Sequence, residues 1–534
     1  MKRRTFIQTS VGLLAAGTGT LAGATDPVNV PATPAPGWDS GRVAHLLPTV
    51  SDRQLLLKIS LTEPLAVAPV LYVGKRKITG LATDTAGMFW SFAANNLAPD
   101  TALPLRLTMA DGKPLCDAWT IRTFPAPTTM PTKFRLLIYT CAGGHDALKT
   151  ATGNLIFLPL ELRKKLVEMG LSFEPNALIA NGDHVYWDLE SKYASAMGKN
   201  PYAIQFAGTF DRSLPVLGTA NETVLKKAVG PQIADLYGTS CRATPVFFLK
   251  DDHDYFENDE ASEALITFPP GPFSRALADA TQRLFYPEFL PDAHRPATLP
   301  GTKTDGTSEN FGTLRYGKLV EMLLFDCRAF LTLTGDTGTF VPPDTERWLT
   351  NRIGQSDTAH VVSVPSTPMG WSAGKWAEWY PDLLAADKKL STAVPKPYWQ
   401  RGWFLQHNRL LAAISAQKTR IPLVVSGDLH STAAGTISRS GPLDLSSHPV
   451  VSCITGTIGT GPTGFPSAAR GVRAMPPVDL TVEEQIPALE ENGFCIMDFT
   501  PTEISIQFFR FKRAEIETAT GQPKPFKTLT MSRL

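Results

Sequence analysis

Four short apolar runs in this chain each end on residues that can bind a cation or move a proton. Ala177 to Ala180 runs into Asn181-Gly182-Asp183, with Tyr186 three residues after the aspartate. The run from Phe134 ends on Cys141, the run from Pro245 ends in Asp251-Asp252-His253-Asp254, and the run from Pro422 ends in Gly427-Asp428-Leu429-His430. An apolar strand that stops abruptly at polar residues delivers them to a crevice outside the C-terminal edge of its sheet. The expectation is that all four runs deliver their polar ends to one edge.

Asp183, Asp252, Asp428 and His430 offer hard oxygen and imidazole donors, and Cys141 and Tyr186 add a thiolate and a phenolate. Such a mixture suits two unlike cations, because thiolate and phenolate stabilise a trivalent or soft metal whereas carboxylates suit a hard divalent one. Two cations a few ångströms apart can clamp a phosphoryl oxygen and turn a bound water into hydroxide. Asp183 is the natural bridging carboxylate of that arrangement.

The elements that must hold these residues follow from the rest of the chain. Residues 1–24 carry Lys2, Arg3 and Arg4 ahead of a short Gly/Ala-rich apolar run, the pattern of a cleavable export signal. Arg3-Arg4 followed by Thr5-Phe6-Ile7 resembles the twin-arginine type, which implies the twin-arginine export machinery as a partner and a periplasmic or extracellular destination. Residues 25–39 read as a flexible Pro-rich leader. Residues 40–124 alternate short strands with turns, which suggests a β-sandwich. Its Leu97 to Thr101 segment resembles the corner of fibronectin-type domains, with Leu103 where a tyrosine is usual. After a linker at 125–132, apolar strands alternate with helical periods from 133 to 534, an α/β pattern. Helices are expected over Leu155 to Met169 and Gln406 to Ala416, helical and loop insertions over Ser191 to Ser240 and Phe268 to Leu290, and a terminal strand pair over GFCIMDFT and EISIQFFRFK.

With 51 basic and 50 acidic residues the chain has no electrostatic footprint for nucleic acid. No run after the signal reaches the roughly 20 apolar residues that span a bilayer, so no membrane anchor is expected in the mature chain. The six cysteines form no CxxC pair, although one or two disulfides fit an oxidising compartment.

The ordered blocks GDHVY, DDHD and SGDLH resemble the binuclear metallophosphoesterase superfamily, and within it most closely the PhoD-like alkaline phosphatases. The resemblance implies a metallophosphoesterase-type αββα sandwich with an N-terminal fibronectin-like β-sandwich, and hydrolysis of phosphate esters by a metal-bound hydroxide. It implies iron(III) with calcium, other divalent metals being compatible with the carboxylates. It matches Cys141 and Tyr186 to iron ligands, Asp183 to the bridge, Asp252 to the position of a superfamily asparagine, and Asp428 and His430 to further metal ligands. It matches His253 to the histidine beside the metal centre that donates a proton to the leaving group or stabilises the transition state. LLFDCRAF resembles the family's D-x-R block, leaving two uses open to Arg328, a bond to a substrate phosphate oxygen or an ion pair with Asp326. The usual opening DxH is missing from TCAGGHD, so either Cys141 or His145 with Asp146 serves at that strand end.

Asn258 and Asp259 are expected to cap the following helix rather than reach a cation. His184 either contacts substrate or supports the ligands, His360 is expected to be structural, and His45, His294, His407 and His448 sit in no motif. Two rival readings exist. Gly370-Trp371-Ser372-Ala373-Gly374 has the GxSxG pattern of a serine hydrolase, with His430 or His448 downstream as its base, and a non-catalytic exported metal- or glycan-binding protein would need the DDHD and GDLH blocks to be structural.

Overall fold

Both faces of the central strands are apolar, and the reason lies in the two layers that cover them. In the computed structural model, Phe134–Thr140 pairs in parallel with Ala177–Asn181, which pairs in parallel with Val246–Leu249. Alternate side chains of these strands, Leu136, Ile138, Ile179 and Leu249, join one core with Met322, Leu324, Val362, Val364 and Val425 from a second sheet. The others, Leu137, Tyr139, Leu178, Ala180 and Phe248, face outward onto Leu166, Leu225, Leu277 and Leu284 of the covering helices. A strand buried on both faces must read as an unbroken apolar run, which is why these segments lack polar alternation.

The structure describes residues 37–149, 153, 155–187, 206–256, 259, 261–262, 265–461 and 471–533. The expected export signal, residues 25–36 of the leader, residues 191–205 of the first insertion and Asn258 lie outside the described residues.

The second sheet carries Val320–Phe325, His360–Pro365, Leu423–Ser426 and Val450–Thr455 in parallel, extended by antiparallel strands on both sides. Its outer face packs on the helices Pro343–Gln355 and Arg401–Ser415. Two sheets face each other with helices outside both, the αββα order. This arrangement corrects one expectation. Three of the four site-bearing runs lie in the first sheet, but the fourth, Leu423–Ser426, belongs to the second. The crevice therefore forms where the C-terminal edges of two sheets meet, tied by Asn181 Nδ2 donating to Pro365 O at 3.2 Å.

The terminal hairpin Asn492–Phe499 and Glu503–Phe511 completes the first sheet beside Phe134–Thr140, and a further strand, Lys527–Ser532, follows it. The helix expected from Leu155 instead spans Leu160–Leu171. Pro159 holds the preceding residue extended, and the Leu160 amide donates to the carboxylate of Asp146. The second expected helix starts earlier than periodicity suggested, at Arg401.

The N-terminal strands form two four-stranded sheets, one with Val43–Val50, Leu55–Leu61 and Phe89–Ala94, the other with Val70–Val73, Ala102–Thr108 and Trp119–Arg122. They share the α/β region's core: Phe124 stacks on Phe247, and the buried pair Lys58–Glu288 closes at 3.0 Å. His45 is fully buried at this junction, with Nε2 2.5 Å from Phe285 O. Burial pushes its pKa down from 6.5 to about 4, against the pull of that carbonyl. The native state thus holds His45 neutral while the unfolded chain protonates it below pH 6.5. Its contribution is complete above that pH and is lost as pH falls toward 4, about 3 kcal/mol in all. His45→Asn should correspondingly flatten the acid side of the stability curve, read as denaturant midpoints at pH 7 and pH 4.5. All six cysteines are buried and unbridged, so none of the disulfides compatible with the sequence is formed. Among the described residues, no helix is long and apolar enough to cross a membrane.

Candidate metal centre

Three of the four strand ends break out of their sheets through residues in the left-handed backbone region, while the chain after Val246–Leu249 leaves through an extended Asp251. Cys141 has φ 50°, Asp183 55°, Asp428 70° and His430 42°. Side chains other than glycine adopt this conformation at a cost of about 1–3 kcal/mol, and such strain concentrates at functional sites. The loops converge tightly enough that a Cβ on Gly427 would lie 2.3 Å from Thr140 Oγ1 and 2.6 Å from Asn181 O. Thr140 Oγ1 donates to Asn181 O at 2.6 Å and accepts the Asp428 amide at 3.1 Å, joining three of the four runs.

Around Asp183 the donors crowd. Its Oδ2 lies 3.2 Å from Cys141 Sγ, 3.2 Å from the Tyr186 hydroxyl and 3.9 Å from His430 Nε2. Tyr186 Oη is 2.8 Å from His430 Nε2, while Thr460 Oγ1 holds the other ring nitrogen at 2.8 Å. Three groups of ligand atoms lie within 4.8 Å of one another: Cys141, Asp183 and His430; Asp183, Asp252 and His253; Asp251, Asp252 and Asp428. The first two share Asp183.

These donors fit cations. Asp183 Oδ1 and Asp252 Oδ1 are buried with no hydrogen-bond partner, an expensive condition for a carboxylate unless a cation meets it. Burial and then the Asp183 charge push the Cys141 thiol and the Tyr186 phenol well above their ordinary ranges. Burial followed by the Asp252 charge does the same to Asp183. A cation held among them would favour the thiolate, phenolate and carboxylate forms that such a dry site otherwise opposes. His430 is pushed by burial down to about 3, the neutral state that a ligating imidazole needs.

Other residues find different places. His145 stacks on Phe206 and its Nδ1 accepts the Ala147 amide, while Asp146 serves the amide of Leu160. Neither belongs to the three donor groups, whereas Cys141 does. His184 is 1% exposed, with Nε2 3.0 Å from Leu249 O and its ring against Phe248, so it supports the loop and cannot touch substrate. His253 is half-buried, its ring 4.3 Å from that of Tyr186. His360 is structural, 2.7 Å from Thr500 O.

Both expected uses of Arg328 are corrected. Its guanidinium is 0% exposed and meets Asp251 at 2.7 Å, Asp428 at 3.2 Å and Asp259 at 3.3 Å, which puts it out of reach of a substrate phosphate. Asp326 takes the Arg328 backbone amide instead. Asp259 caps no helix; it joins this buried cluster and accepts the Ala377 amide. Ser372 is likewise no nucleophile. It is fully buried and donates to Glu378 at 2.7 Å, and neither His430 nor His448 is among its partners.

Three site residues escaped the sequence. Asp254 accepts the amides of Asp183, His184, Val185 and Asp251 at 2.8–3.1 Å, clamping two motif loops together. Burial pushes its carboxyl up to about 7 while those amides pull it down. Gln232 Oε1 accepts the amides of Gly144 and Tyr186. Lys375 places Nζ 2.6 Å from Asp428 and 3.2 Å from Asp252. With Arg328 and His253 it holds Asp252 well below the usual carboxylate range despite burial. The one available signal was a lysine inside the aromatic run GWSAGKWAEWY, every residue of which is buried.

The family model described as PhoD-like phosphatase matches residues 232–508, more than half of the chain. The chain belongs to the PhoD-like phosphatase family. This phosphoric ester hydrolase carries Asp252, His253, Lys375, Asp428 and His430 inside the matched span, with Cys141, Asp183 and Tyr186 ahead of it. The solved structure of PhoD superposes on the phosphatase with a TM-score of 0.59 at 14% identity, over 93% of this chain and 92% of that one. The likeness establishes the shared αββα fold. A type III pullulan hydrolase from Thermococcus kodakarensis aligns over 72% of this chain and 60% of its own at 10% identity, but its TM-score of 0.13 carries no argument. No curated protein matches the chain.

Proposed function

We propose that this phosphatase is an exported, metal-dependent hydrolase of phosphate mono- or diesters working at a pair of cations bridged by Asp183. The observation that carries the reading is the sharing of the buried Asp183 carboxylate between two donor groups. Cys141, Tyr186 and His430 suit iron(III) on one side, and Asp252 with the free oxygen of Asp183 suits calcium on the other. Cations held there supply charge neutralisation at the phosphoryl oxygens and activation of the attacking water. The chain's own groups do the rest. Asp183 fixes the spacing of the pair, Gln232 and Asp254 hold the loops that carry the ligands, and half-buried His253 reaches the departing oxygen to give it a proton.

Strong chelator should abolish phosphate release, and elemental analysis of protein purified without added metal should find iron. Full turnover in chelator, or a protein free of bound metal that still turns over, would overturn the reading. His253→Ala should keep its metal and lose about 10²- to 10⁴-fold in turnover, the usual loss for a general acid.

Domain boundaries at 40–124 and 133–534 remain part of this reading, as does export by the twin-arginine route, which rests on Arg3-Arg4-Thr5-Phe6-Ile7. Replacing both arginines with lysine should leave the unprocessed precursor in the cytoplasm.

A further inference from the structure

Of the three donor groups, the one formed by Asp251, Asp252 and Asp428 already contains positive charge. Lys375 Nζ stands among three aspartates of the buried cluster, 2.6 Å from Asp428 Oδ1, 3.2 Å from Asp252 Oδ2 and 3.8 Å from Asp259 Oδ2. Arg328 meets Asp251, Asp259 and Asp428 with its three nitrogens. We propose that the Lys375 ammonium is a built-in cation of this centre, occupying between Asp252 and Asp428 the position where a further metal ion would otherwise bind.

Several observations lead there. The ligand atoms of Asp251, Asp252 and Asp428 come within 4.8 Å of one another, a separation that suits a single cation. Asp251 Oδ2 is buried without a hydrogen-bond partner, so the group retains a donor of the kind metals use. A divalent ion and an ammonium in that volume would repel each other strongly at low dielectric, and only one of them can stand between the two carboxylates. The lysine cannot easily leave. It is 3% exposed, and its carbonyl oxygen accepts from Lys396 Nζ, which is also bound to Glu378 at 2.8 Å. Glu378 in turn takes the Ser372 hydroxyl and the Ala373 amide, both at 2.7 Å. The GWSAGK segment is thus a rigid arm whose end is a fixed charge.

An ammonium neutralises carboxylates but holds no exchangeable water and activates no nucleophile. The chain therefore takes up ions at the two groups that share Asp183 and none at the third. This inference rests on the reading of the site as a metal centre.

The test is the count of bound ions. Wild type, Lys375→Ala and Lys375→Arg are equilibrated with calcium, freed of unbound ion and analysed by elemental mass spectrometry, with calcium titration calorimetry alongside. Wild type and Lys375→Arg should hold about two ions, and Lys375→Ala should gain about one calcium. Lys375→Ser serves in its place where the alanine variant does not fold. A third equivalent in the wild type overturns the proposal, and that measurement needs no variant. So does a folded Lys375→Ala or Lys375→Ser that binds no more calcium than the wild type. If the wild type holds two ions and releases phosphate while these variants gain nothing, the role of the lysine alone fails. A wild type without metal or phosphate release takes the proposed function down with it.

Discussion

Asp183→Ala should empty the centre of metal and reduce phosphate release to background. Removing a residue that merely supports a ligand typically lowers metal affinity or activity 10- to 100-fold, and Asp183 belongs to two of the donor groups at once. Its loss also strands its neighbours. The Cys141 thiol and the Tyr186 hydroxyl both lie 3.2 Å from the lost carboxylate oxygen, in surroundings that already resist their ionisation. The fold should survive, because the backbone amides at 183–185 remain clamped by Asp254. Elemental analysis and phosphate-release assays on the same preparation check the prediction, with circular dichroism confirming the fold. A variant with normal metal content and turnover would remove Asp183 from the site.

Asp254→Ala should damage stability and activity together, although Asp254 belongs to none of the three donor groups. Its two oxygens accept four backbone amides from two different loops. Each buried donor left unsatisfied costs about 1–3 kcal/mol, so even with partial relaxation the loss should exceed about 3 kcal/mol. Released, the loops carrying Asp183 and Asp252 no longer hold their spacing, and a displacement of about 1 Å at a reacting centre costs on the order of 10²-fold in rate. Asp254→Asn retains one acceptor oxygen and should fall between the two. Thermal denaturation and turnover measured across the series check this; an alanine variant as stable and active as the wild type would refute the clamp.

The contrast between these two aspartates bears on how far the site could be read from the chain alone. Asp183 stands out because an apolar run stops at it, a local signal. Asp254 lies in the same DDHD block as Asp252, yet nothing local distinguishes an aspartate that faces a cation from one that faces four amides. The difference arises only where the loop after Val246–Leu249 meets the loop after Ala177–Asn181. Arg328 makes the same point. Its neighbour Asp326 was the obvious ion-pair partner, but the guanidinium reaches carboxylates from the DDHD and GDLH segments, brought to it by the approach of two sheets. Lys375 carries no local mark either, since the GxSxG pattern beside it points to Ser372, and its partners Asp252 and Asp428 lie far away in the chain.

What the sequence determined by itself was the set of apolar runs, their polar ends and their order, because strand formation and the breaking of a strand depend on residues within a few positions of each other. That was enough for the α/β class, the hairpin at Asn492–Phe499 and Glu503–Phe511, and the residues that crowd Asp183. The tertiary structure alone decided that Leu423–Ser426 sits in the second sheet, since strands apolar on both faces carry no mark of the sheet they join. It also decided which charges answer which. In a site this dry, an aspartate's state is set by whatever lies within about 4 Å of it, and the loops that close that distance come from positions as far apart as Asp252, Lys375 and Asp428.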